Sequence, residues 1–365
     1  ITAIFQKFVR VVKKLTHIAE IVPKVIKIIK LNEQDLGIRE KMISRDKFKS
    51  IADSFKDKQV LIIGDMMLDR YYYGQTNRMS PEAPVPIVDI DKIIDNPGGS
   101  SNVALNISML GAKPIISGII GSDTYGKIIQ DQLEKNNIST DLIVEDSDRP
   151  TTIKSRIISK EHQIIRMDQE DASDHSEDLT NKIITAVSEV INDVDGIILQ
   201  DYNKGLLNGF SIPEFLTLAA ENEVPVYVDP KHNNFTSYNN IRLFKPNLSE
   251  FLHYDSKFKN LEDAGLAFKS KINSEILMIT KGADGVSVFY ESDHFQIPTR
   301  ARKVHDVSGA GDTVISAFCL SDLCGANPQE SAFIANYAAG RVCEQPGVVP
   351  IQITMLKELL DHLDQ

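Results

Sequence analysis

The chain has 365 residues, 42% hydrophobic and 25% charged, enough apolar material for one large core or two modest ones. A formal net charge of −11 and a pI near 5.3 argue against a broad nucleic-acid or anionic-membrane surface, because such binding needs clustered Lys and Arg. No apolar run reaches the roughly 18 residues that span a bilayer, and the three cysteines (Cys319, Cys324, Cys343), none in a close pair, exclude a structural zinc and suit a reducing, cytoplasmic compartment.

Residues 1–41 stand apart, with nine Lys/Arg against four Asp/Glu; their net +5 leaves −16 for residues 42–365. Apolar residues recur at near-helical spacing among Lys7, Arg10, Lys13, Lys14, Lys24, Lys27 and Lys30, broken at Pro23, which predicts a basic amphipathic helix. The expectation is an extension that is not native to the folded domain of residues 42–365, since the chain opens at Ile1 and Met42 stands just before the globular pattern. Membrane-surface attachment and a transit sequence are the alternatives.

From residue 59 onward, apolar runs alternate with amphipathic stretches, the pattern of an α/β protein whose mostly parallel sheet is flanked by helices. Strands are predicted at Val60–Ile63, Ile115–Ile119, Gly196–Leu199, Val226–Val228, Leu243–Phe244, Ile276–Ile279 and Val286–Phe289. Two segments break the rhythm: 78–91, which holds three prolines, and 151–168, whose alternation of Ile153, Ser155 and Ile157 predicts antiparallel strands. They are expected to form a small β lid over one end of the sheet. Because such a sheet leaves an apolar face to cover, the lid is also expected to join two subunits as a homodimer.

Three motifs carry chemistry. The run Asp306-Val307-Ser308-Gly309-Ala310-Gly311-Asp312-Thr313 opens a helix on two glycines, where unobstructed backbone N–H groups and the helix N-terminus favour an anion. A carboxylate at Asp312 is awkward among phosphate-facing amides unless it accepts a proton from an attacking hydroxyl. A second glycine turn, Asn96-Pro97-Gly98-Gly99-Ser100-Ser101-Asn102, runs into a helix that Gly111 stops. Thirdly, Gly64-Asp65-Met66-Met67-Leu68-Asp69-Arg70 sets two carboxylates after the first strand, where open α/β sheets bind ligands. Each alone also reads as turn capping or surface charge.

Together these residues resemble the ribokinase-like (PfkB) carbohydrate kinases, from Val60 to about Ile351. The resemblance rests on Gly98-Gly99-x-x-Asn102-x-Ala104 and Asp306-x-x-Gly309-Ala310-Gly311-Asp312-Thr313. Between them lie Asn247-Leu248-Ser249-Glu250 and Thr280-Lys281-Gly282-Ala283-Asp284-Gly285, which match the family's metal and nucleotide loops. Within the family the chain is most similar to bacterial heptose-7-phosphate kinases, through Gly64–Tyr71, Ser80–Pro86, Asp201-Tyr202-Asn203-Lys204-Gly205, Asp229-Pro230-Lys231 and Lys245–Glu250. His232 departs from the glycine expected after Asp-Pro-Lys and puts that loop's conformation in doubt. No His-x-Gly-His occurs before Gln365, so the kinase is expected without the nucleotidyltransferase to which many such kinases are fused.

The resemblance implies a kinase that uses ATP, Mg²⁺ and a monovalent cation, with Asp312 as base and the Gly309, Ala310 and Gly311 amides facing the transferred phosphoryl group. It further implies Asn247, Thr280, Gly282 and Gly285 at the nucleotide, Asp69, Gly98, Gly99, Asn102, Asp201 and Lys204 at the sugar, and Glu250 holding magnesium through water. The phosphate already on the sugar needs a cation, and Arg70, Arg78, Lys154, Arg156 and Lys204 are the candidates. Another ribokinase-like kinase is the nearest alternative, for a different sugar phosphate or a nucleoside. A silent sugar-binding regulator would lack reason to keep Asp312, Asn247 and Glu250. A Rossmann dehydrogenase fails because Gly64 is not followed by a Gly-x-Gly-x-x-Gly turn.

Overall fold

Apolar runs too short for helices and too continuous for half-exposed strands should stack as a sheet covered on both faces. In the computed structural model, which describes residues 42–160, 162–299, 304–345 and 347–363, they do. The basic segment 1–41 lies outside the described residues.

The described residues divide into two units, 49–359 and a smaller one that holds 42–48 and 360–363. After α1 (Arg45–Ser54) come β1 (Gln59–Gly64), β2 (Met66–Met79), β3 (Pro86–Gly99), α2 (Ser100–Met109), β4 (Lys113–Gly121), α3 (Thr124–Lys135) and β5 (Leu142–Asp146). Next are β6 (Thr152–Ser159), β7 (His162–Gln169), α4 (Glu177–Val190), β8 (Gly196–Gln200), α5 (Ser211–Glu221), β9 (Val226–Asp229) and β10 (Leu243–Phe244). The remainder is α6 (Leu248–Tyr254), α7 (Leu261–Lys271), β11 (Ile276–Thr280), β12 (Val286–Tyr290), β13 (Asp293–Ile297), α8 (Ala310–Leu323), α9 (Pro328–Cys343), α10 (Ile353–Lys357) and α11 (Leu360–Leu363). In the smaller unit Arg45 Nη1 donates to the Leu360 carbonyl at 2.9 Å.

The main sheet has nine strands in the order β13-β12-β11-β10-β9-β8-β1-β4-β5, parallel from β11 to β5 with β12 and β13 antiparallel at one edge. Strand β1 is flanked by β4 on one side and β8 on the other. The chain therefore reverses its direction of winding there, and the crevice at the carboxyl ends of β1, β8 and β9 is the ligand position of an open α/β sheet. Leu61, Ile63, Ile197, Leu199, Phe244 and Phe289 are buried in the core beneath it. Around Phe268, the rings of Phe235, Phe244, Phe251 and Tyr254 pack at 4.8–5.7 Å between centroids.

The lid is present but larger and differently paired than expected. Its four strands run β3-β2-β6-β7, so it starts at Met66 and not at residue 78, and the proline-rich residues 80–85 form only its tip. The pairs β2–β3 and β6–β7 are antiparallel, whereas β2 and β6 pair in parallel. The 78–91 segment was a poor guide because its prolines mark the turn, while the strands leading to it carry mixed charged and apolar residues.

Only Asp65 separates β1 from β2, so the lid grows directly from the centre of the main sheet. Strand alternation gives it two unlike faces. Cross-strand rows Asp69–Lys154–Asp168 and Tyr71–Arg156–Arg166 occupy one face, and Ile93–Tyr72–Ile157–Ile165 the other. Ile93, Ile165 and Met167 on that second face are 52%, 49% and 46% exposed, which leaves an apolar stripe open.

Candidate active site

Helix α8 begins where Gly309 adopts a φ of +77°, a left-handed conformation that β-substituted residues resist. A Cβ there would also lie 2.8 Å from Asn102 Nδ2. The glycine thus lets α8 start against α2 and delivers Asp312, in its first turn, into the crevice.

Asp312 is 3% exposed, and each of its oxygens is held. Asn102 Nδ2 donates to Oδ2 at 2.7 Å; Gln200 Nε2 and the Tyr202 hydroxyl donate to Oδ1 at 3.1 and 2.9 Å. Burial pushes its pKa up to about 7, helped by the charge of Asp229, while the hydrogen bonds from Asn102 and Tyr202 and the Lys245 ammonium pull the other way. Asp229 itself is clamped by Lys245 Nζ at 3.0 Å and Gln200 Nε2 at 3.1 Å. A carboxylate poised near neutrality beside helix-opening amides is fitted to take a proton from a hydroxyl that attacks a phosphoryl group.

The cleft over Asp312 encloses about 490 Å³. The lid supplies its far wall through Asp69, Lys154, Arg156, Arg166 and Asp168, and the loops that follow β8 and β9 add Tyr202, Lys204 and Lys231. Arg156 Nη1 donates to Asp69 Oδ1 at 2.5 Å, and its guanidinium lies 5.2 Å from the Tyr71 ring centroid. Asp69 is thereby a lid residue and not, as its place after the first strand suggested, a group at the main sheet's edge. Gly98 is the glycine that makes room for it: a Cβ there would stand 2.3 Å from Asp69 Oδ2. Lys154 reaches Asp168 and Glu170 at 3.5 and 3.0 Å, and Lys204 reaches Glu170 at 2.9 Å.

The structure brings Asp69, Gly99, Asn102, Lys204, Gly309 and Asp312 around one cleft. Asp201 is not among the lining residues; it is 1% exposed and accepts from Asn203 N, Asn234 Nδ2 and the Tyr238 hydroxyl, which makes it a support of its loop. Arg70 and Arg78 lie off the cleft, paired with Asp95 and Asp89. Asn247 and Thr280 meet in an isolated parallel bridge beside the turn that carries Gly282 and Gly285, further along the carboxyl edge. Asn247 and Glu250 form a reciprocal capping box on α6, and Glu250 also pairs with Lys231, which joins this edge to the cleft. His232 opens a short 3₁₀ turn without positive φ, so no glycine is required at that position.

Sequence reasoning assigned no role to Gln200, Tyr202, Asp229, Lys231 or Arg166. Tyr202, Asp229 and Lys231 did lie within quoted motifs, but nothing in their spacing tied them to Asp312.

The fold and this site define a phosphotransferase that acts on a sugar hydroxyl. Residues 57–354 match the pfkB family of carbohydrate kinases, and the chain belongs to that family. Among curated relatives it is 37% identical over 312 residues to the bifunctional protein HldE of Edwardsiella ictaluri and 38% identical over 312 residues to that of Aeromonas salmonicida. These alignments cover 84% of this chain but 64% and 65% of those proteins, so the chain spans just under two thirds of the length of the relatives it matches. Among solved structures, Escherichia coli phosphofructokinase-2 in complex with substrates and products superposes with a TM-score of 0.71 at 16% identity, covering 84% of this chain and all of that one. Arabidopsis thaliana ribokinase complexed with ribose and ATP gives 0.65 at 18%, covering 83% and 98%. These two likenesses establish the ribokinase-like fold.

Proposed function

We propose that the chain transfers the γ-phosphate of ATP to the anomeric hydroxyl of heptose 7-phosphate, giving the 1,7-bisphosphate used for ADP-heptose and lipopolysaccharide core synthesis. The observation that carries this reading is the pairing of one buried carboxylate, Asp312, with a lid wall bearing Lys154, Arg156 and Arg166 across the same cleft. A base on one side and cations on the other suit a sugar that presents a hydroxyl at one end and a phosphate at the other. The likeness to HldE proteins supports the heptose.

In this reading Asp312 takes the hydroxyl proton as the oxygen–phosphorus bond forms and the bond to the ADP oxygen breaks. The Gly309, Ala310 and Gly311 amides face the charge that develops on the transferred group. Asp69, Gly98, Gly99, Asn102 and Lys204 frame the sugar, and Asn247, Thr280, Gly282 and Gly285 the nucleotide, with Asp201 acting only through its loop.

No group of three metal-ligating side chains occurs among the described residues, and both Glu250 oxygens already accept from Lys231 and Asn247 N. These residues fit magnesium only as an ion that keeps its waters and meets Glu250 through them, supplying charge neutralisation at the phosphates when bound. The described residues single out no site for the monovalent cation that the resemblance implies.

The family match starts at residue 57, which supports treating residues 1–41 as dispensable for turnover. The apolar outer face of the lid supports a homodimer, and the absence among the described helices of one long and apolar enough to cross a membrane is compatible with a cytoplasmic enzyme. A panel of sugars and sugar phosphates, assayed for ADP release and product phosphorylation, tests the reading. Heptose 7-phosphate is expected to give the highest kcat/KM, and preference for a hexose phosphate or nucleoside would replace it with the neighbouring activity.

A further inference from the structure

The donors on Asp312 come from two sources of different rigidity. Asn102 sits in helix α2 and Gln200 at the end of β8, but Tyr202 belongs to the irregular loop 201–210. That loop contains two left-handed residues, Asn203 at φ +54° and Gly205 at φ +97°, both of types that tolerate this conformation at a turn. One carboxylate oxygen holds it: Asp65 Oδ2 accepts from Tyr202 N at 2.8 Å and from Lys204 N at 3.0 Å. Asp65 is 4% exposed and sits at the joint between the main sheet and the lid. From the two residues it pins, one side chain reaches the base and the other reaches Glu170 just beyond lid strand β7.

We propose that Tyr202 is a positioning residue for Asp312 and that Asp65 acts through it, its oxygen fixing the loop so that the phenol meets one oxygen of the base. The inference rests on Asp312 being the base. The hydroxyl leaves Asp312 Oδ2 to Asn102 and holds Oδ1 with Gln200, so rotation of the carboxylate away from the cleft costs three hydrogen bonds. It also favours the ionised form, in a site where Asp229 opposes ionisation and Lys245 supports it, while Asp69 and Lys231 line the cleft nearby. The Lys231 ammonium lies 5.0 Å from the Tyr202 ring centroid and confines the phenol from above.

Three variants test this. Tyr202→Phe keeps the ring and removes the hydroxyl; Asp65→Ala removes the acceptor; Asp65→Asn leaves an amide oxygen in its place. Asp312 is titrated in each protein without substrate, by difference infrared or carboxyl-carbon NMR against Asp312→Asn, and kcat is measured across pH. Tyr202→Phe is expected to move the Asp312 titration upward by about one pH unit, the size of losing one hydrogen bond to a charged group. It should lower kcat several-fold with KM for the sugar little changed. Asp65→Ala is expected to reproduce the shift and Asp65→Asn to restore the parent behaviour, because the loop needs an acceptor and not a charge. An unmoved titration in Tyr202→Phe overturns the positioning role, and Asp65→Asn behaving like Asp65→Ala overturns the pin. If the titration moves but the pH dependence of kcat does not, the assignment of Asp312 as base fails, and what stands is only the contact of Tyr202 with that carboxylate.

Discussion

Asn102 Nδ2 lies 2.7 Å from Asp312 Oδ2 although 210 residues separate them in the chain. The early glycine motif and the late one are thus two halves of a single site, joined by the contact of α2 with α8. Thr313, the next residue of α8, repeats the link at 2.9 Å with Asn106, one turn further along α2. Asp312→Asn keeps the shape and removes the proton acceptor. Turnover is expected to fall ~10²–10⁴-fold, the range for a lost general base, with nucleotide affinity within a few-fold of the parent. Single-turnover phosphoryl transfer and nucleotide titration check the two halves of that statement, and parental turnover would remove Asp312 from the chemistry.

Burial gives both Asp312 and Asp65 pKa values of about 7, against ordinary values of 3.8. The folded protein therefore holds protons that the unfolded chain releases between about pH 4 and pH 7. Stability from these groups is full below pH 4 and is lost as pH rises through 7. The melting temperature is expected to fall from about pH 4 to pH 7 and to level off above it, and the slope should flatten in Asp312→Asn. Turnover should run the opposite way over the same interval, rising as Asp312 loses its proton. Differential scanning calorimetry and initial rates on one buffer series read both trends.

Arg166 and Lys154 project from the lid face opposite the base and are paired with Asp168. If they receive the sugar's existing phosphate, Arg166→Ala and Lys154→Ala should each raise KM for heptose 7-phosphate by roughly ten- to hundredfold, the scale of a lost charge-assisted contact. KM for unphosphorylated heptose should stay where it was. Equal effects on both sugars would mean that these cations only hold the lid in shape.

The outer lid face offers Ile93, Ile165 and Met167 to solvent. A second copy covering them should make the protein a dimer, and the double substitution Ile93→Lys with Ile165→Lys should return it to monomers while preserving the far-UV circular dichroism. Sedimentation velocity at several loading concentrations decides it; a parent protein that stays monomeric throughout would leave this stripe without a second subunit.

The main sheet was legible because strands such as β1, β8 and β11 are buried on both faces, so their apolar residues run together in sequence. The lid was half legible. Strand β6 alternates visibly, but β7 mixes Gln163, Arg166 and Asp168 with its apolar residues and is fully solvent-facing in pattern, so only pairing with β6 makes it a strand. Asp312 and Asn102 could be read as glycine motifs whose backbone demands are local. Gln200, Tyr202 and Arg166 could not, because what each touches depends on strand ends and registers that bring distant segments together. Asp201 shows the converse: a carboxylate in a suggestive motif gives its oxygens to Asn203, Asn234 and Tyr238, a set of partners that its motif does not announce.

The unlike faces of the lid constrain how this sequence can change over time. Since side chains alternate strictly along a strand, inserting one residue within β6 or β7 would turn Arg156 or Arg166 out of the cleft and drive Ile157 or Ile165 into it. Substitutions along these strands are graded in effect, whereas single-residue insertions are all-or-none. Length variation should therefore collect at the tip, residues 80–85, where an added residue changes neither face, and the lid can grow in reach without rewriting what it shows to the sugar.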